Sequence, residues 1–158
     1  MKSVDTQSVE LIGRNRLTEE LIQAGLEVAL PLRDRGIDLI AYADLHDKVE
    51  SFSACPIQMK AATNKSFSIT RKYEKFPNLI IAFVWGIGSF NDIETYGLTH
   101  PEAVAIGDEM GYTKTSSWDK PKGYYTTTRP SAKLLALLEP YRMTPEKWWE
   151  KIVQLQSR

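Results

Sequence analysis

Leu79-Ile80-Ile81-Ala82-Phe83-Val84-Trp85 is an unbroken apolar run, and nothing else in the chain limits the fold as much. Its length and its β-branched and aromatic residues predict the strongest core strand of the molecule. Ile37 to Ala43 is also short and mostly apolar, which predicts a strand buried on both faces. Such strands need helices to cover them, and helical patterns flank this region on either side. The expectation is one α/β domain with a mixed sheet.

From Val9 to Ala24, the residues Ile12, Leu17, Leu21 and Ala24 fit one helical face, and Gly25 is a natural stop. Leu26 to Leu32 reads as a strand, Arg33 to Gly36 as a polar turn, and Asp44 to Ser51 as a charged loop. Phe52 to Ala62 reads as the next strand, with Pro56 marking an edge, a bulge or a break. Phe67 to Ile69 is a short strand candidate, Arg71 to Phe76 one helical turn closed by Pro77, and Ile93 to Leu98 a further strand. Pro101 opens a helix through Met110, started by Thr99 or His100 and ended by Gly111. Ser116 to Thr128 reads as a loop, Ser131 caps a helix to Glu139, and Thr144 starts a last helix through Leu155. The core is expected over residues 9–98 and a helical extension over 99–158 of a single domain.

The chain has 158 residues, with Lys+Arg and Asp+Glu both 20 and a net charge of zero. That balance weighs against tight nonspecific DNA binding and leaves room for a local basic patch. A single cysteine, Cys55, excludes an internal disulfide and fits a reducing cytoplasm. Cys55 sits in an apolar run, as a small buried hydrophobe does. No stretch approaches the roughly 20 apolar residues that cross a bilayer. Met1 to Asp5 leads into no apolar segment, so neither a membrane span nor a secretion signal is expected.

The chemistry concentrates between Gly36 and Lys60. Asp38 heads one apolar run, and Gln58 and Lys60 stand two apart in the next. Alternation along a strand puts Gln58 and Lys60 on one face and turns Met59 to the core. A carboxylate, a neutral oxygen ligand and an ammonium form a set suited to a hard divalent cation beside a phosphodiester. Asp38 and Gln58 would hold the metal, and Lys60 would orient water or neutralise a phosphate. A plainer reading of the same residues has Asp38 capping a strand end and Gln58 and Lys60 on a solvated sheet face.

The arrangement Gly36-x-Asp38 followed by Gln58-x-Lys60 resembles the PD-(D/E)xK nuclease superfamily in its degenerate Q-x-K form. The order of a helix, a three-strand meander, a helix and another strand is similar to that superfamily's core over roughly Val9 to Trp85. The resemblance implies a restriction-endonuclease-like core with a mixed β-sheet flanked by helices and extra C-terminal helices. It implies a Mg²⁺- or Mn²⁺-dependent nuclease that hydrolyses DNA phosphodiesters, in the manner of resolvases and restriction enzymes, and a homodimer. In resolvase-like relatives the first helix supplies a Glu about three turns before its final glycine. Counting back from Gly25, that place falls near Arg14, and the nearest preceding acid is Glu10. Glu10 would then be a second carboxylate, or it would pair with Arg14 one turn on. If Glu10 does not reach the metal, the site has one carboxylate and one amide; the chain is then either an inactive nuclease-fold module that binds nucleic acid or a protein, or an enzyme that depends on substrate phosphates to hold Mg²⁺. Arg33, Arg35 and Arg14 are the cations assigned to nucleic acid. Glu19 and Glu20 read as solvated helix residues.

Other signals are weaker. Lys65, Arg71, Lys72 and Lys75, interleaved with Tyr73 and Phe76, form either a phosphate grip or an ordinary surface with two core aromatics. His46 and His100 lack partners at zinc spacing. Gly86-Ile87-Gly88 reads as a turn rather than a phosphate loop. Of Trp148 and Trp149, one is expected in the core and one partly exposed, where the pair could mark a dimer contact. Trp118 to Tyr125 is either an aromatic loop beside a groove or a loop packed on the C-terminal helices.

Overall fold

The computed structural model describes residues 4–44, 51–52, 54–89 and 92–156. It is an α/β structure in which helices cover both faces of a five-stranded mixed sheet. Helix α1 (Thr6–Gln23) leads into strands β1 (Glu27–Ala29), β2 (Leu39–Tyr42) and β3 (Ala54–Ala62), each antiparallel to the next. A crossover carrying β4 (Phe67–Thr70) and a short 3-10 turn (Arg71–Tyr73) returns the chain to β5 (Ile80–Trp85), parallel to β3. Strand β6 (Glu94–Thr99) lies antiparallel to β5 and closes the order β1-β2-β3-β5-β6. Helix α2 (His100–Glu109) follows, then β7 (Tyr124–Thr127), α3 (Ala132–Leu138) and α4 (Pro145–Gln156).

Strand β5 shows why the sheet needs two covers. Ile80, Ala82 and Val84 enter a core with α1 and α4, where Leu17, Leu21 and Trp148 are fully buried. Ile81, Phe83 and Trp85 enter a second core beneath Phe67, Ile69, Ile106, Leu134 and Leu138. Period-2 alternation thus assigns each side chain of the run to one core or the other. Pro56 is tolerated in β3 because pairing with β5 begins only at Ile57, while pairing with β2 reaches back to Ala54.

Several elements differ from the sequence reading. The inner face of α1 is Val9, Gly13, Leu17, Glu20 and Leu21, whereas Ile12 is 38% exposed. Glu20 is therefore not a solvated residue. It is 7% exposed and accepts from Thr95 Oγ1 at 2.9 Å, Trp148 Nε1 at 3.1 Å and Arg16 Nε at 3.1 Å. Strand β1 is far shorter than Leu26 to Leu32, since it is an edge with one neighbour, and Leu30 and Leu32 are exposed. Tyr124–Thr127, read as loop, is strand β7, paired antiparallel with β4. The C-terminal part is thus not wholly helical. Trp148 is core and Trp149 partly exposed, as expected. Thr99, not His100, caps α2, in a reciprocal box with Glu102.

Gly13 sets how closely α1 lies on the sheet. A Cβ there would stand 2.7 Å from Ala61 Cβ, which has no rotamer with which to yield. Gly13→Leu is expected to cost about 1–3 kcal/mol through overpacking, less a helix-propensity gain of about 1 kcal/mol. Urea denaturation measures it, and an unshifted midpoint would show that the helix can move off β3 freely.

Candidate functional site

The site forms where β2 begins. The backbone N–H of Asp38 donates to Ile57 O at 2.9 Å, continuing the β2–β3 ladder one step beyond Leu39. There the main chain turns away, and the Asp38 side chain takes over the pairing. Its Oδ2 accepts from the Met59 backbone N–H at 2.7 Å and from Gln58 Nε2 at 2.6 Å. Asp38 is 8% exposed, so these bonds hold a buried carboxylate in one orientation. Both fall on Oδ2, which leaves Oδ1 free of them. Gln58 Nε2 also donates to Met59 O at 3.2 Å. Ligation of a cation through Oε1 at the same place needs a half turn of this amide, with loss of both bonds.

Two further acids converge on Asp38. Glu10 of α1, Asp34 of the turn and Asp38 each offer an oxygen, and these oxygens lie within 4.8 Å of one another. Glu10 is brought in by the close seating of α1 at Gly13, one turn further on. Asp34 is held by its own turn, where its Oδ1 accepts from Gly36 N–H at 3.2 Å. Gly36 has φ +90°, a conformation that favours glycine. Asp34 was missed in the sequence because it read as part of a polar turn. The available signal was an acid placed just before the glycine that precedes Asp38.

The donor set fits a small hard cation. Oxygens around Mg²⁺ lie about 3 Å apart when adjacent and about 4.2 Å apart when opposite, so three carboxylates within 4.8 Å of one another must draw closer by side-chain rotation to share one ion. Against this, Arg14 Nη2 already contacts Glu10 Oε1 at 3.4 Å. The expected pairing of Glu10 with Arg14 is therefore present, and it coexists with the approach of Glu10 to Asp38. Arg14 Nε is buried without a hydrogen-bond partner.

Cations and an aromatic border the acids. Lys60 is exposed, on the sheet face of Gln58 and about 7 Å further along β3. Lys72, from the crossover turn, was one of several undistinguished basic residues in the sequence. Its Nζ and Gln58 Oε1 each lie 3.8 Å from where a Cβ on Gly36 would stand. Tyr73 is 5% exposed, and burial, then the Asp38 carboxylate, push its hydroxyl pKa up. It stays protonated at neutral pH, within electrostatic reach of Asp38. Arg33 and Arg35 are exposed in the turn, and Arg35 lines a cavity of about 150 Å³ with Lys72, Tyr73 and Phe76.

The remaining candidates fall elsewhere. His100 is buried, with Nε2 at 2.9 Å from Thr70 O. His46 lies outside the described residues. Gly86-Ile87-Gly88 is a turn pinned by Ile87 N–H to Ala62 O at 3.2 Å. Cys55 is 3% exposed, and burial pushes its thiol pKa up to about 12, so it carries no thiolate chemistry at neutral pH. Trp118 is buried, with the Arg71 guanidinium 5.3 Å from its ring centre. No helix among the described residues is long and apolar enough to cross a membrane. The chain matches no family model, no curated protein and no solved structure.

Proposed function

We propose that the chain is a metal-dependent nuclease that hydrolyses DNA phosphodiester bonds, on a restriction-endonuclease-like core. The observation that carries the reading is the meeting of Glu10, Asp34 and Asp38 beside Gln58, with Lys60 and Lys72 on their flank. The chain order supports the core: a helix, then three antiparallel strands, then a further strand beside the third. It departs from that plan in its crossover, which holds β4 and a 3-10 turn in place of a helix.

Asp38 and Asp34 would hold Mg²⁺, with Glu10 contributing once it leaves Arg14 and Gln58 once its amide turns. A bound Mg²⁺ would activate water and offset charge on the phosphoryl oxygens. The side chains do the rest. Lys60 meets the phosphate or orients the attacking water. Arg14, once released by Glu10, would offer its guanidinium Nη atoms to a phosphate oxygen, and Arg33 and Arg35 draw the backbone in. Tyr73, protonated at neutral pH, offers its hydroxyl as a further donor.

A second reading has specific support. Arg14 occupies Glu10, and the Gln58 amide N–H occupies Asp38. A chain in which those pairings persist would be an inactive nuclease-fold module that holds nucleic acid or a protein without cutting.

Cleavage of a DNA panel (linear duplex, single strand, flap and four-way junction) with Mg²⁺ or Mn²⁺ separates the two. Wild type is expected to cut, and Lys60→Ala to lose on the order of 10²-fold in rate. The thermal melt should not change, since Lys60 is exposed. Absence of both cleavage and metal binding in wild type would reject the nuclease and leave the module.

A further inference from the structure

We propose that the groove beside the acidic cluster holds one unpaired nucleotide, with its phosphate between Lys60 and Lys72 and its base on Tyr124. This rests on the nuclease reading and adds the form of the substrate. The β4–β7 ribbon has two unlike faces. Phe67 and Ile69 enter the second core and Tyr125 packs on it. Alternation therefore turns Ser68, Thr70, Tyr124 and Thr126 the other way. With Lys60 and Lys72, those four line a groove of about 260 Å³ in which no acid among the described residues takes part.

Three features point to a nucleotide. Neither Lys60 nor Lys72 makes an ion pair among the described residues, so both ammonium groups can meet an anion. Tyr124 is 59% exposed, as an aromatic waiting for a base would be. The groove also adjoins the acids, since Lys72 Nζ and the Oε1 of Gln58, whose amide bonds Asp38, both lie close to Gly36. Its volume of about 260 Å³ lies just under the roughly 300–1,000 Å³ of pockets for drug-sized ligands, a size that suits one nucleotide. In a duplex, each base is already stacked on both sides and offers Tyr124 no free face. The occupant is thus a strand end, a flap or a single strand that leads its phosphate to Asp38.

The test is fluorescence anisotropy in EDTA with a labelled single-stranded oligonucleotide and the matching duplex. Wild type is expected to bind the single strand about tenfold more tightly. Tyr124→Ala should lose roughly tenfold of that affinity, the scale of one base–aromatic stack, and Tyr124→Phe should retain it. Lys72→Ala should weaken binding and reduce the salt slope by about one. Equal binding by Tyr124→Ala and wild type, or a preference for duplex, overturns the groove assignment. Metal-dependent cleavage lost in Lys60→Ala would then still support the nuclease. If wild type neither binds nor cuts any DNA, both readings fall together.

Discussion

Asp38→Ala is expected to abolish metal-dependent cleavage and to destabilise the fold as well. A metal contributes several kcal/mol of charge stabilisation to phosphoryl transfer, and losing about 4 kcal/mol of it slows the reaction roughly a thousandfold. The structural loss has a separate origin. With the carboxylate gone, the Met59 backbone N–H and the Gln58 amide lose the acceptor they meet at 2.7 and 2.6 Å. An orphaned buried donor costs about 1–3 kcal/mol. Asp38→Asn divides the two effects, because its Oδ1 can still accept from Met59 while its charge is gone. We expect near wild-type urea stability for Asp38→Asn, with cleavage still lost. An asparagine variant that cut at the wild-type rate would remove Asp38 from the site.

The largest stability effect is expected far from the acids, at Glu20. Its carboxylate joins α1 to β6 through Thr95 and to α4 through Trp148, both buried. Glu20→Ala leaves two buried donors unpaired at about 1–3 kcal/mol each, so a total near 3 kcal/mol is expected. For a chain of this size that lowers Tm by about 6–12 °C. Glu20→Gln keeps one acceptor oxygen and should fall between. Arg16 adds little, because its side chain is 39% exposed. A calorimetric change under about 1 kcal/mol in Glu20→Ala would show that water replaces the carboxylate.

Much of the site geometry was legible because it depends on short-range rules. Gln58 and Lys60 share a face because strand alternation requires it, and Met59 turns inward for the same reason. The neighbour relation of Asp38 and Gln58 follows from two strands joined by a hairpin-length segment. Glu20 was not legible. The sequence reading built the inner face of α1 from apolar positions alone, and a buried acid is invisible to that rule until its donors are known. Strand β7 escaped for a related reason: its four residues include two tyrosines and two threonines and lack an apolar run. Its pairing with β4 joins segments far apart in the chain.

The sequence alone determined the elements whose causes lie within a few residues. These are the buried strand Ile80–Trp85, the Ser131 cap and the two-sided alternation of β3. Tertiary structure decided which helix face turned inward and that Glu20 would be buried. It also brought Glu10 and Asp34 to Asp38 and folded β7 onto β4 to wall a groove. The physical difference is one of range. A cap or an alternating strand is stabilised by neighbours in sequence. Contacts between distant segments must first offset loop-closure entropy, and they form only where the summed packing of the sheet and its two covers favours them.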